Sequence, residues 1–282
     1  MSNSNELQDA VGSGNGSSSN SSNSRASSRF DLSGQIAVVI GGTSGIGKAI
    51  ALGLAEAGAD VVATGRRGDE VARSAGEIEA RGRRTLRVTS DVTQRLSLEH
   101  LLAEAKTAFG KVDILVNAAG KTKRTPTTEL AEAEWDDIIN TNLTGTLRSC
   151  QVFGGHMLER GAGRIINIAS LTTFVGFFEV AAYAASKAAV GSLTQSLAIE
   201  WGPRGVLVNA IAPGVFRTSL NETLLDGTER GRELLMRTPM KRFGRVEELV
   251  GAAIFLASPA SSFVNGEILA VDGGFLASGV NQ

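Results

Sequence analysis

Residues 36–58 read IAVVIGGTSGIGKAIALGLAEAG, and three different physical textures follow one another in them. Ile36 to Ile40 is a short β-branched and apolar run with no polar position, as expected of a strand buried on both faces. Gly41 to Gly47 is a glycine-rich turn. An Ala/Leu-rich helix then runs to Ala57 and stops at Gly58. Glycines at 41, 45 and 47 let the backbone turn tightly and approach a pyrophosphate, and the free N–H groups and dipole of the new helix face its negative charge. Thr43, Ser44 and Ile46 complete such a cradle. A plain strand-to-helix turn also produces glycine clusters, so the run alone leaves both readings open.

The same alternation continues outward. Short β-branched runs recur at Asp60 to Thr64, Thr85 to Val88, Ile114 to Asn117, Arg164 to Ala169, Val206 to Ile211 and Glu267 to Val271, separated by six stretches with helical spacing of apolar residues. Right-handed crossovers wind this pattern into a doubly wound α/β Rossmann fold. The expectation is a seven-stranded parallel sheet, order 3-2-1-4-5-6-7, with helices on both faces and ligands at the carboxyl ends of the strands. No internal repeat is present, and residues 30–282 read as a single domain.

Residues 1–29 are dominated by Ser, Asn and Gly. Ordering them would cost entropy with almost no apolar surface to bury, so a disordered tail is expected. Glycine is abundant, 34 of 282 residues, against roughly 7% in ordinary domains. The formal net charge of -1 supplies no field for nucleic acid or an acidic membrane, which leaves a small molecule as the expected ligand. The single cysteine, Cys150, excludes an intrachain disulfide and a cysteine-rich metal site, and no metal is expected. No run reaches the roughly 18 to 20 apolar residues of a membrane span. A cytoplasmic location is expected.

A second constellation lies downstream. In Tyr183-Ala-Ala-Ser-Lys187 the phenol and ammonium are four residues apart, on one face of a helix. A phenol titrates near pH 10, too high for easy proton exchange at neutrality, and a neighbouring cation lowers it. Tyr183 is the only tyrosine in the chain. Ser170 stands at the end of the fifth strand, and Asn142 lies in Asn140-Thr-Asn-Leu-Thr-Gly145. A core tyrosine beside a surface lysine is the bland alternative for Tyr183 and Lys187 taken alone.

Taken together, the Gly-x3-Gly-x-Gly turn and the Asn142, Ser170, Tyr183 and Lys187 set resemble the short-chain dehydrogenase/reductase family from about Phe30 to the C-terminus, including Val271-Asp-Gly-Gly274. The spacing differs from the Gly-x-Gly-x-x-Gly fingerprint of other dinucleotide folds. Where the family usually has Thr before the first glycine, this chain has Ile40.

The resemblance implies an oxidoreductase that interconverts a carbonyl and an alcohol. Tyr183 would be the general acid or base, Ser170 would bond the substrate oxygen, Lys187 would hold the nicotinamide ribose and depress the Tyr183 pKa, and Asn142 would keep a relay water in line. It also implies cofactor contacts from Asp91 and Val92, from Asn117, Ala118 and Gly120, and from Pro213, Gly214, Val215 and Thr218. A substrate lid is expected at about 216–240, and a homotetramer, a dimer of dimers, through the long helices around Ala131 to Glu159 and Val180 to Trp201.

Strand two ends in Gly65-Arg66-Arg67, with no acidic residue between Val61 and Gly68 to take two ribose hydroxyls. Arg66 and Arg67 are placed to bind a 2′-phosphate, which favours NADP(H) while still admitting NAD(H). They could otherwise be solvated loop charges. Arg124, in Lys121-Thr-Lys123-Arg124-Thr-Pro126, could clamp a substrate carboxylate. That segment is similar to the one in gluconate 5-dehydrogenase-like members, which act on sugar acids, although a solvated basic loop reads the same way. A 3-oxoacyl-carrier-protein reductase and a non-catalytic nucleotide-binding sensor or scaffold are the alternatives. His156 and Cys150 lack partners at metal or nucleophile spacing and are expected to pack in the core or an interface.

Overall fold

The computed structural model describes residues 29–218 and 222–280. The tail to residue 28, positions 219–221 of the expected lid and the last two residues lie outside the described residues. Six parallel strands form one sheet: β1 (Ile36–Ile40), β2 (Asp60–Thr64), β3 (Ile114–Asn117), β4 (Gly163–Ile168), β5 (Val206–Pro213) and β6 (Ile268–Val271), in spatial order β2-β1-β3-β4-β5-β6. The doubly wound arrangement is the expected one, with one strand fewer.

The missing strand has a local explanation. Residues 84–90 pass alongside β2, but they are tied to it at the ends, by Val61 N–H to Arg84 O (3.1 Å) and Ser90 N–H to Gly65 O (2.9 Å). In between, the Thr64 hydroxyl takes the Val88 carbonyl at 2.6 Å. Asp60 also accepts from the Arg84 backbone at 2.9 Å. Side chains thus satisfy groups that a regular ladder would have used.

The strands are apolar throughout because both faces are covered. On one face Ala37, Val39, Val61, Val116 and Ile166 pack with Ile50, Leu54, Leu249 and Leu256, bringing in α1 (Gly45–Glu56) and the later helix Val250–Ala257. On the other, Val38, Ile40, Leu115 and Ile165 meet Leu98, Leu101, Phe153 and Trp201. This alternation is the period-two pleat read twice.

Further along the chain come α2 (Gly68–Glu79), α3 (Arg95–Phe109), α4 (Glu132–Ile139), α5 (Gly145–Arg160), α6 (Ala181–Trp201), α7 (Glu222–Leu225), α8 (Glu229–Arg237) and α9 (Val250–Ala257). The single long helix expected from Ala131 is broken by a widened π-turn at Asn140–Thr144. Helix α8 begins where the Thr228 hydroxyl accepts the Gly231 N–H at 2.9 Å, which satisfies one of the free donors of its first turn. Among the described residues no helix is long and apolar enough to cross a membrane. Cys150 and His156 are core residues of α5. Burial pushes the Cys150 thiol up to about 12, and His156 Nε2 accepts the Val112 N–H at 3.2 Å.

Candidate active site

The glycine turn, the Gly65 to Arg67 and Ala118 to Gly120 segments, Ser170 and the Gly214 to Thr218 loop follow the carboxyl ends of strands, and Asn142, Tyr183 and Lys187 come from helical segments. After β1, Gly41 adopts φ 80°, and a Cβ there would stand 2.5 Å from Ala119 N. One on Gly47 would stand 2.1 Å from Gly41 O. Both distances are far inside van der Waals contact, so the turn, the first coil of α1 and the Ala118-Ala119 segment after β3 close up only because these two positions lack side chains. The Thr expected before Gly41 is not needed. Gly41 and Gly42 both donate to the Thr64 carbonyl, at 2.9 and 3.0 Å, and Ile40 is buried in the core.

Ser44 is the N-cap of α1, yet its side chain caps nothing, and the first turn holds no acidic residue. The free N–H groups and positive dipole end are therefore open at an exposed turn, which fits a dinucleotide pyrophosphate. A Cβ on Gly45 would have Thr218 Cγ2 at 3.9 Å as its nearest neighbour, so the loop after β5 faces the same cradle. Pro213 and Gly214 turn that loop away from the sheet. Gly214 donates to Val271 O at 2.8 Å, and Val215 O receives the Gly244 N–H at 2.9 Å.

At the β2 end, Thr43 Oγ1 lies 3.0 Å from where a Gly65 Cβ would be, which leaves little room for the acidic side chain that a diol-binding site would place there. Arg66 and Arg67 are exposed. Asp91 sits within electrostatic reach of Arg66 and Lys121. Burial raises its pKa, but Thr93, donating backbone N–H (2.8 Å) and hydroxyl (2.7 Å), and the two cations outweigh that and hold it below the usual range. Val92 is buried against Gly145.

The expected catalytic residues Ser170, Tyr183 and Lys187 converge where β4 ends. Ser170 caps the short turn after the strand, and its Oγ accepts the Thr172 N–H at 3.2 Å. The Tyr183 phenol is within reach of the Ser170 hydroxyl, which favours its ionised form. One turn further along α6, Lys187 is buried, with Nζ donating to the Ile168 carbonyl at 2.7 Å and standing 5.8 Å from the centre of the Tyr183 ring. Burial lowers the Lys187 pKa to about 8.

One expectation is corrected. The Tyr183 phenol is shifted up, because its burial outweighs the stabilising bond from Ser170, and the ammonium is engaged with Ile168 O. The depressed phenol inferred from the four-residue spacing is not present.

Asn142 is fully buried. Its Oδ1 accepts Lys121 N–H at 2.9 Å, and its Nδ2 donates to Lys121 O at 2.9 Å and to Ser186 Oγ at 3.0 Å. The π-turn positions this side chain to clamp the strand-β3 loop to α6 in both directions. A Cβ on Gly120 would lie 3.4 Å from Asn142 Oδ1 and 3.6 Å from Lys187 Nζ, so these groups share one small space. Ser186, inside the Tyr183 to Lys187 motif, was passed over in the sequence although it links Asn142 to the Tyr183 carbonyl at 2.7 Å.

Two further expectations are altered. The Asn117 side chain points into a buried polar network, donating to Asn167 Oδ1 (2.9 Å) and accepting from Ser149 Oγ (2.5 Å), so only its backbone is left to line the cofactor groove. Arg124 is not a bare clamp, because its Nε is 2.6 Å from Glu179 Oε2. Lys121 and Lys123 are likewise paired, with Asp137 and Glu134. The loop is therefore largely charge-compensated. Among the described residues no group of three or more His, Cys, Asp or Glu is arranged to hold a metal.

A parallel sheet with this glycine turn at its first strand, and a serine, tyrosine and lysine at its centre, defines a nicotinamide-dependent oxidoreductase site. The chain belongs to the short-chain dehydrogenase/reductase family: residues 40–276 match the family model described as enoyl-(acyl carrier protein) reductase. Among its relatives, gluconate 5-dehydrogenase of Gluconobacter oxydans is 41% identical over 88% of this chain and 97% of its own length. A 2-dehydro-3-deoxy-D-gluconate 5-dehydrogenase of Pseudoalteromonas atlantica is 43% identical over 88% and 98%. The crystal structure of a gluconate 5-dehydrogenase from Burkholderia cenocepacia, in complex with NADP and tartrate, superposes with a TM-score of 0.87 at 39% identity, covering 90% of this chain and all of that one.

Proposed function

We propose that this protein is an NADP(H)-dependent oxidoreductase that interconverts a carbonyl and a secondary alcohol on a sugar acid of the gluconate and keto-gluconate type. The reading is carried by the Ser170 hydroxyl acting on the Tyr183 phenol, with Lys187 one helical turn away. The two O–H groups thus act on one another beyond the end of β4. In reduction, Tyr183 delivers its proton to the substrate oxygen and Ser170 donates to the same oxygen as negative charge develops on it. Lys187 would hold the ribose hydroxyls from the floor of the groove. When bound, the nicotinamide supplies or accepts the hydride.

Thr43, Ser44, Gly45, Ile46 and Gly47 would receive the pyrophosphate, and Asp91 and Val92 the adenine. Arg66 and Arg67, beside a Gly65 that leaves no carboxylate, favour the 2′-phosphate of NADP(H). Ala118, Gly120 and the Asn117 backbone would line the groove, with Pro213, Gly214, Val215 and Thr218 along the nicotinamide.

The substrate assignment rests on Arg124 at the groove mouth and on the names of the relatives. The acyl-carrier reading needs a net basic rim, and the pairing of Lys121, Lys123 and Arg124 with acidic partners disfavours it.

Assembly as a homotetramer in the cytoplasm completes the reading. Self-association is supported by the exposed small residues Ala185 and Ala188 of α6 and the exposed Ile199 on the same helix.

A screen of NADPH and NADH consumption over keto acids, keto sugars and acyl ketones tests it. Turnover of 5-keto-D-gluconate with NADPH is expected. Activity confined to uncharged ketones, or to carrier-bound acyl groups, would replace the sugar-acid reading, and a clear NADH preference would overturn the cofactor assignment.

A further inference from the structure

Four residues before Tyr183 the chain makes an unusual step. Glu179 has φ 60°, in the left-handed region that non-glycine residues rarely occupy. Its backbone is held there by the Thr125 N–H, which donates to Glu179 O at 2.9 Å. Its carboxylate faces Arg124. The neighbouring Phe178 is 70% exposed and carries the Arg124 guanidinium over its ring, 5.7 Å from the centre.

A second arginine reaches the same dipeptide. Arg230, in the first turn of α8, extends Nη1 to the Phe178 carbonyl at 3.4 Å. That length is the weak end of hydrogen bonding, and a guanidinium has five N–H donors to place. The two arginines are close enough that repulsion by Arg124, after burial, lowers the Arg230 pKa. Glu233, the other acid acting on Arg230, is also in contact with Arg237 at 3.5 Å.

Glu179 is thus paired with Arg124 and acts on Arg230 as well, four residues before Tyr183 in the chain. Three guanidiniums, of Arg124, Arg230 and Arg237, share the two carboxylates of Glu179 and Glu233 and leave one positive charge unmet, the condition under which a further carboxylate binds with charge-assisted hydrogen bonds.

We propose that Arg230 is a specificity-determining residue, a second guanidinium that joins Arg124 in receiving the substrate carboxylate, while Glu179 holds the two in place before substrate arrives. The inference deepens the sugar-acid reading and rests on it. It assigns recognition to α8, outside the family's catalytic motif.

Arg230→Gln keeps an N–H donor for Phe178 O but removes the charge, and Arg230→Lys keeps the charge without the fork. With NADPH and 5-keto-D-gluconate, R230Q is expected to raise KM for the keto acid about 10- to 100-fold. Its kcat, its KM for NADPH and its melting midpoint should stay near wild type, and R230K should recover part of the loss. An unchanged KM for the keto acid in R230Q, with wild type active on it, overturns the role of Arg230 and leaves the function standing. An equal loss in kcat and in NADPH affinity overturns it too, by showing that the substitution disturbs the groove as a whole. Wild type inactive on every sugar acid overturns the function and this inference together.

Discussion

Lys187 Nζ lies 2.7 Å from the carbonyl oxygen of Ile168, two residues before Ser170, so the buried ammonium is fastened to the same strand that presents the serine. Burial costs the ammonium hydration and brings its pKa from an ordinary 10.5 to about 8. Between those values the unfolded chain keeps a proton that the native chain has released, so stability rises with pH across that window. Below about pH 8 the full penalty applies.

Lys187→Met is therefore expected to stabilise the fold at pH 7 by roughly 3 kcal/mol, the worth of such a shift. The difference from wild type should shrink as pH rises from 8 toward 10.5, while turnover collapses. Urea unfolding of both proteins from pH 7 to 10.5 measures this. A variant no more stable than wild type at pH 7 would contradict it.

Tyr183→Phe removes the phenolic O–H and keeps the ring. Turnover should fall by at least about a thousandfold, within the range expected when a general acid is lost together with its hydrogen bonding. NADPH affinity, read by fluorescence titration, should change little. Substantial residual turnover would mean that the proton is delivered by another group.

Gly47→Ala places a methyl 2.1 Å from the Gly41 carbonyl oxygen and 3.0 Å from the Ala118 methyl, and the Gly41 backbone cannot swing aside as a side chain would. We expect a stability loss of about 1–3 kcal/mol or more and loss of dinucleotide binding, read by thermal melting and by titration with NADPH. Near-normal affinity in the variant would show that the turn can open without harm.

Arg66→Ala tests the cofactor choice. Loss of one charge-assisted contact should lower kcat/KM with NADPH about 10- to 100-fold and leave that with NADH nearly unchanged. Parallel falls with both cofactors would instead assign Arg66 to the common part of the nucleotide.

Much of this was legible in the sequence because the signals were local. Ile36 to Ile40 followed by Gly41 to Gly47 dictates strand, turn and helix within a dozen residues, and the apolar runs at Asp60, Ile114 and Val206 appear where the strands are. What was not legible depends on side chains far apart in the chain. The segment 85–88 has a strand's composition, but Thr64 and Asp60 intercept its backbone groups. Asn117 reads as a groove residue until Asn167, fifty positions away, is seen to hold it. The loop cations read as a basic patch because their acidic partners are on α4 and at Glu179, and nothing in the composition of Glu179 announces a left-handed backbone. The spacing of Tyr183 and Lys187 placed both groups on one face but could not show that a strand carbonyl, rather than the phenol, takes the ammonium's proton.

The pairing of Lys121, Lys123 and Arg124 with Asp137, Glu134 and Glu179 bears on how an anion finds the groove. Opposed charges a few ångströms apart cancel beyond a Debye length, about 10 Å at 0.1 M ionic strength. Little long-range attraction then reaches out into solution, and capture depends on partner exchange after collision. These three paired cations should accordingly add little to the salt dependence of the encounter with a sugar acid, unlike an open cationic funnel that steers its ligand.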